Sequence, residues 1–226
     1  MKYKGILLDI DNTLYDYNSA HNFAKNKVLE YSIDAFNMSK DEVNIAYEMA
    51  RKQINIELCE TASSHNRLLY FQRMSEIIGL NPMKYAFEIY NIYWDNFLEI
   101  MQPFEGVYEL LEKFNNKICL VTDLTAHIQY RKIKKLGIEK YCNALVTSEE
   151  AGHEKPHPYM FIMALQKLGL KSDEVCMIGD SFKKDVFGAI NLGVAAIWIN
   201  NESKIENHNH QLITEVQNFK QILEIL

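Results

Sequence analysis

The sequence predicts an α/β protein, a parallel sheet with helices on both faces, interrupted after its first strand by a separate helical domain. Three observations predict it. Short apolar runs of strand length lie at 5–8, 118–121, 175–178 and 194–199. Between the later runs the apolar residues take helical spacing, and short strands alternating with helices mean βα units. From about Tyr17 to Ile100 only the helical period is found, with no strand run inside it.

The first run, Gly5 to Leu8, is a buried strand that ends in the polar turn Asp9-Ile10-Asp11-Asn12-Thr13. The helical stretch follows. Ser39-Lys40-Asp41-Glu42 carries a capping-box signature and starts a helix whose stripe is Val43, Ala46, Tyr47, Ala50 and Ile54. A second stripe, Tyr70, Met74, Ile77 and Ile78, stops at Gly79 and Asn81-Pro82. A third runs through Ile89, Ile92, Tyr93, Phe97 and Ile100 towards Pro103. Beyond it Val107, Leu110, Leu111 and Phe114 form a helix face, and Ile118 to Val121 a strand. Ile128, Ile133 and Leu136 mark a helix capped by Gly137, and Ala144 to Val146 a short strand. Phe161, Ala164, Leu165 and Leu168 form a helical stripe before the strand Val175 to Ile178. A helix near Lys183 to Leu192, a strand Val194 to Ile199 and a closing helix through Phe219, Ile222, Leu223 and Leu226 complete the chain. Asn-His-Asn-His at 207–210 reads as a solvated loop. The expected division is 1–16 with 102–226 for the α/β part and 17–101 for the helical part.

The whole-chain numbers agree with this division. One core is usually built from about 100–150 residues, so a chain of 226 has room for an insertion. With 48% hydrophobic residues it is no disordered tail. A net charge of −6, with the cations scattered, argues against a nucleic-acid polymer as partner. No apolar run reaches the roughly 18 residues of a membrane span, and the first is too short for a signal-peptide core. The four cysteines, Cys59, Cys119, Cys142 and Cys176, form no C-x-x-C pair and read as reduced thiols of a cytoplasmic protein.

Polar residues gather at the carboxyl ends of the expected strands, where open parallel sheets bind ligands. Strand one ends in Asp9-x-Asp11, and residues i and i+2 of an extended segment face one side. The second strand ends in Thr122-Asp123. Val175 to Ile178 ends in Gly179-Asp180-Ser181, with Asp185 beyond, and Lys155-Pro156-His157-Pro158 lies in a loop before a helix. One pocket is expected to hold Asp9, Asp11, Thr122, Lys155, Asp180 and Asp185. Several carboxylates together repel unless a cation joins them, and oxygen ligands suit Mg²⁺ with a phosphate. Lys155 and Thr122 then hold phosphoryl oxygens.

In these motifs (D-x-D-x-T at 9–13, Thr122, K-P-x-P at 155–158, G-D-S-x-x-x-D at 179–185) the sequence resembles the haloacid dehalogenase superfamily of phosphohydrolases. Any one of the motifs alone reads equally as a turn, a strand residue or a surface lysine. All four in this order carry the resemblance across the whole α/β part, and the insertion resembles the family's C1-type helical cap.

The resemblance implies a Rossmann-like fold and a soluble, Mg²⁺-dependent phosphatase acting on a small phosphorylated metabolite. It implies Asp9 as nucleophile, forming an aspartyl-phosphate, and Asp11 as general acid and then general base. Thr122, Asp123 through its backbone N–H, and Lys155 bind the phosphoryl group. Metal ligands are Asp9, the backbone carbonyl of Asp11 and Asp180, with Asp185 acting through water or by orienting Lys155. The family commonly has Asn where this chain has Asp123, so that carboxylate is expected to turn away from the phosphate. Dehalogenases of the superfamily lack an acid at the position of Asp11, because a halide leaves without a proton; its presence favours phosphoryl chemistry.

Substrate choice is expected in the cap, where His21, His65, Asn66 and Arg67 are candidates, each against the plainer reading of a solvated helix residue. The aromatic residues there read first as core. Sugar-phosphate phosphatases and nucleotidases are the subfamilies resembled. The alternatives are a phosphomutase, which would return the phosphoryl group to a sugar, a phosphate-sensing receiver-like domain, and a catalytically idle binding module. A receiver's phosphoacceptor stands on a later strand than Asp9 does, and an idle member would be expected to lack Asp9 or Asp11.

Overall fold

The computed structural model describes residues 2–200 and 209–226. Residues 207–208 of the expected loop lie outside them; Asn209 and His210 are exposed. The chain divides into two compact units, Met1–Asp16 with Gln102–Leu226, and Tyr17–Met101.

The first unit is built on a six-stranded sheet whose paired strands all run parallel. Its strands are β1 (Gly5–Leu8), β2 (Ile118–Thr122), β3 (Ala144–Thr147), β4 (Val175–Gly179), β5 (Ala195–Ile199) and β6 (Ile213–Val216), in the order β3-β2-β1-β4-β5-β6. Every residue of β1, β2 and β4 is buried, because both faces of a parallel sheet are covered by helices; that is why these strands read as unbroken apolar runs. β1 pairs with β2 at Leu8–Leu120 and with β4 at Leu8–Ile178, so three carboxyl ends come level. The chain winds from β1 to one edge and returns to β1's other side at β4, which makes this point a topological switch, the place where open sheets bind ligands.

Two elements differ from expectation. Strand β6 carries no apolar run: Ile-Thr-Glu-Val is an edge strand with only Val216 buried, and its signal is that weak. The helix expected near 183–192 is a single π-helical turn, Phe182–Val186, followed by a short α-helix at Phe187–Ile190. Here the Asp185 and Val186 N–H groups both donate to the Ser181 carbonyl, at 2.8 and 3.3 Å. Such turns recur at functional sites because they re-aim a side chain.

The second unit consists of α1 (Tyr17–Phe36), α2 (Lys40–Glu57), α3 (Arg67–Ile77) and α4 (Pro82–Ile100), with a 3₁₀ turn at Ala62–His65. Both halves of the capping box at Ser39 and Glu42 form, and Asn81 caps α4 with Pro82 in its first turn. The aromatic residues Tyr47, Tyr70, Phe71, Tyr93, Trp94 and Phe97 are fully buried and pack on one another. They are this unit's core, and burying rings such as Phe71 and Phe97 stabilises it by roughly 1.5–3 kcal/mol each. Among the described residues no helix is long and apolar enough to cross a membrane, and the four cysteines are free.

Candidate active site

Asp9 follows β1 directly and is held in line by its N–H, which donates to Ile178 O at 3.0 Å. The chain then turns: Leu14 N–H donates to Ile10 O at 2.9 Å, and Asn12 takes the left-handed conformation that Asn tolerates, with φ 62°. Thr13 closes the turn across to β4. Its hydroxyl donates to Asp9 Oδ2 at 2.9 Å and accepts the Asp180 N–H at 3.1 Å.

Lys155 is buried and points its ammonium at Asp9 Oδ1, Asp185 Oδ1 (2.7 Å) and the Val121 carbonyl (3.0 Å). Asp185 sits on the π-helical turn, and its Oδ2 accepts the Ser181 N–H at 3.0 Å. Gly179 is required beside it: a Cβ there would lie 2.3 Å from Asp185 Oδ2. Asp9, Asp180 and Asp185 each offer one oxygen, and the three oxygens lie within 4.8 Å of one another.

Electrostatics set the acids of this group against one another. Burial raises the Asp9 carboxyl well above its usual range, and the charges of Asp185, Asp180 and Asp11 add to that against the pull of Lys155. Burial and the Asp185 charge push Asp180 up to about 7. Burial opposes the Lys155 charge, but Asp185, Asp9 and Asp123 outweigh it and raise that group. Three carboxylates against one ammonium leave negative charge uncompensated. An all-oxygen donor set fits a hard divalent cation such as Mg²⁺.

The Asp11 carboxylate turns away from the three acids but stays beside Thr122, joined to it through Gln129. Residues 10–14 are already turning, so the rule that i and i+2 share a side does not reach Asp11, and its carboxylate faces the helix Ala126–Leu136. There Lys132 Nζ donates to both its oxygens, at 2.7 and 2.8 Å, Gln129 Nε2 lies 3.3 Å from Oδ2, and the Tyr15 hydroxyl donates to Oδ1. Burial works against this charge, but Lys132 foremost, then Tyr15 and Gln129, hold the carboxyl below its ordinary value. Its carboxylate stands outside the three-acid group, so any share in a metal would come from the main-chain carbonyl.

Thr122 is buried, and its hydroxyl accepts from Gln129 Nε2 at 2.9 Å. The Asp123 carboxylate accepts the Lys155 N–H at 3.0 Å and the Lys184 ammonium at 2.7 Å; these two partners account for where it points.

Gln129, Lys132 and Lys184 were not among the sequence candidates. One signal for Lys132 was present. It lies four residues after Ile128 and four before Leu136, inside the stripe that otherwise reads as apolar. A lysine at such a position is buried and needs a partner.

In the helical unit, His21 Nδ1 is 2.7 Å from the Tyr93 hydroxyl. Burial, then the charges of Arg67, Arg51 and Lys25 against Glu48, push its pKa down to about 3. Arg67 is only 5% exposed, against the solvated reading. It donates to the His65 carbonyl at 2.7 Å and to the Tyr17 hydroxyl, stands over the Tyr70 and Tyr93 rings, and buries its Nε without a partner. The oxygen of Asn66 accepts the Leu68 N–H at 2.9 Å as the N-cap of α3, so this side chain is committed to the helix end.

A sequence profile described as haloacid dehalogenase-like hydrolase matches residues 6–199. The ribulose-1,5-bisphosphate 5-phosphatase of Halopiger xanaduensis is 32% identical over 197 residues, covering 85% of this chain and 82% of that one. The glyceraldehyde 3-phosphate phosphatase of Methanothermobacter thermautotrophicus is 28% identical over 233 residues, 99% of each chain. Among solved structures, the 2-haloacid dehalogenase of Pseudomonas syringae has a TM-score of 0.78 at 20% identity, covering 97% of this chain and 96% of that one, a likeness of fold. The profile spans most of the chain and takes in every motif of the acidic site, so the chain belongs to the haloacid dehalogenase-like hydrolases.

Proposed function

We propose that this hydrolase is a Mg²⁺-dependent phosphatase of small phosphomonoesters, working through an aspartyl-phosphate on Asp9. The observation that carries the reading is the Asp9 carboxylate, fixed by Lys155 and Thr13 at the switch point of the sheet beside two further acids. Asp9, Asp180 and Asp185 would hold the metal, which when bound offsets the negative charge of acids and phosphate together.

An Asp9 oxygen attacks phosphorus, and the bond to the leaving oxygen breaks. Asp11 must enter this step protonated, against the hold of Lys132 on its ionised form, and then gives that proton to the leaving alkoxide. Water then attacks the acyl phosphate and gives its proton to Asp11, and the bond from phosphorus to Asp9 breaks, which restores the enzyme and releases inorganic phosphate. Lys155 opposes the burial that raises the Asp9 carboxyl and faces the phosphoryl group with its charge. The Thr122 hydroxyl, whose oxygen accepts from Gln129 and whose proton goes to the Asp123 carbonyl at 3.3 Å, would turn that proton to a phosphoryl oxygen. The acid at Asp11 favours this chemistry over dehalogenation, which needs no proton at the leaving group.

Relatives named for a sugar bisphosphate, a triose phosphate and a pyrimidine 5′-nucleotide support a sugar phosphate or a nucleotide as substrate. The helical unit is proposed to read the rest of it, with His21, Arg67 and the His65 segment as the residues concerned. Free cysteines fit a reducing, cytoplasmic setting. The test is inorganic phosphate release from p-nitrophenyl phosphate and from panels of sugar phosphates and nucleoside monophosphates, with and without Mg²⁺. Asp9→Asn should lose about three orders of magnitude or more in kcat, as removal of a nucleophile does. Equal activity in wild type and Asp9→Asn would sink the assignment.

A further inference from the structure

Lys132 raises a question of energy before one of mechanism. It is a lysine with no exposure at all, in the middle of the buried stripe of the helix Ala126–Leu136, between Ile128, Ile133 and Leu136. Taking an ammonium out of water costs several kcal/mol, and a carboxylate partner at best offsets that. A neutral pair in place of both Lys132 and Asp11 would serve the fold about as well. The Asp11 side chain it binds keeps 24% exposure, so water reaches part of that carboxylate even though burial works against its charge. Stability therefore does not account for the pair.

Geometry does. Asp11 lies in a turn, on a side chain with two free torsions, whereas Lys132 rises from a packed helix. Its two contacts of nearly equal length, 2.7 and 2.8 Å, fix both carboxylate oxygens of Asp11 and hence the plane of the group. Gln129, one turn earlier on the same face, reaches Asp11 Oδ2, Thr122 Oγ1 and the Asp123 carbonyl (2.7 Å). One helix face thus registers the proton-transfer group against the proposed phosphoryl-binding strand end. A misplacement of about 1 Å at a reacting group can cost about 10²-fold in rate.

We propose that Lys132 is a positioning residue for leaving-group protonation: it acts through Asp11, not on the phosphoryl group. The proposal rests on the phosphatase reading above, and its test separates the two. kcat/KM, which reports steps up to loss of the leaving group, is measured for 2,4-dinitrophenyl phosphate, p-nitrophenyl phosphate and glycerol 3-phosphate, whose leaving groups need protonation increasingly. Lys132→Met should slow the alkyl ester by about 10²-fold and the dinitrophenyl ester by less than about threefold. Lys132→Arg, which keeps charge and donors, should recover part of the alkyl activity. In an Asp11→Asn background Lys132→Met should change nothing further, since coupled groups are not additive. That double variant also removes both charges and guards against misfolding of a single one. The thermal midpoint of the double variant should come close to that of wild type. An equal loss on all three esters, or a further loss in the Asp11→Asn background, overturns the proposal. A wild type that hydrolyses none of them overturns the phosphatase reading instead.

Discussion

At the scale of single residues, the two units use burial of ionisable groups in opposite directions. In the helical unit His21 is kept neutral, its pKa pushed down to about 3 by burial and by the cations Arg67, Arg51 and Lys25, with Glu48 opposing. Unfolded, a histidine titrates near 6.5. A depressed folded value means that the contribution is intact above about pH 6.5 and is lost as pH falls towards 3. The midpoint difference between wild type and His21→Gln, which keeps a polar partner for Tyr93 but cannot titrate, should therefore shrink as pH goes from 7 to 4. A difference that stays constant over that range would show that His21 is solvated as freely as an unfolded one. Legibility at this scale followed chemistry. Asp9, Thr122 and Asp180 stand at strand ends, with Lys155 and Asp185 in motifs beyond them; no one motif is enough, and their order along the chain is what marks them together. Lys132 and Gln129 lie within a helix, where a charged or amide residue usually marks the solvent side; only their place in the apolar stripe marks them as buried.

At the scale of elements, the site depends on how β4 hands over to the π-helical turn. Gly179 ends β4, and the carboxylate of Asp185 folds back over it to reach the Ser181 N–H and Lys155. A Cβ at 179 would stand 2.3 Å from Asp185 Oδ2 and 2.4 Å from its Cγ, so the Asp185 side chain has to leave. Gly179→Ala should cost roughly 1–3 kcal/mol of stability in urea unfolding. It should also cut kcat on p-nitrophenyl phosphate by about 10²-fold, because Lys155 loses one of the carboxylates that aim it. Near-normal kcat in a folded Gly179→Ala would mean that Asp185 is not what positions Lys155. The same element explains why a plain helix was expected at 183–192. A π-helical turn changes the hydrogen-bond partner of a few N–H groups without changing the apolar period, so no pattern in the side chains announces it. β6 was missed for a different reason: at a sheet edge only one of its four residues is buried, and burial is what writes a strand into a sequence.

At the scale of the whole molecule, a net charge of −6 says little about ligands, because three of the acids are concentrated in one group beside Lys155. That concentration has a thermodynamic signature. Asp180 titrates at about 7 in the folded protein, raised by burial and by Asp185, against about 3.9 when unfolded. A raised folded value contributes stability that is fully present below about pH 4 and is lost as pH rises through about 7. Without a divalent cation the folded chain should thus carry growing strain between pH 4 and 8 from this group. A cation that binds the ionised carboxylates relieves the repulsion, and it binds well only where they are ionised. Mg²⁺ should therefore raise the thermal midpoint more at pH 8 than at pH 5. At about a hundred times its Kd the gain is about 2.7 kcal/mol, or roughly 5–10 °C for a chain of this size. Asp180→Asn should remove most of that shift at pH 8, and Lys132→Met should leave it in place, since Lys132 touches the acid outside the group. A shift of equal size at both pH values, or one that survives Asp180→Asn, would place the cation elsewhere on this acidic chain.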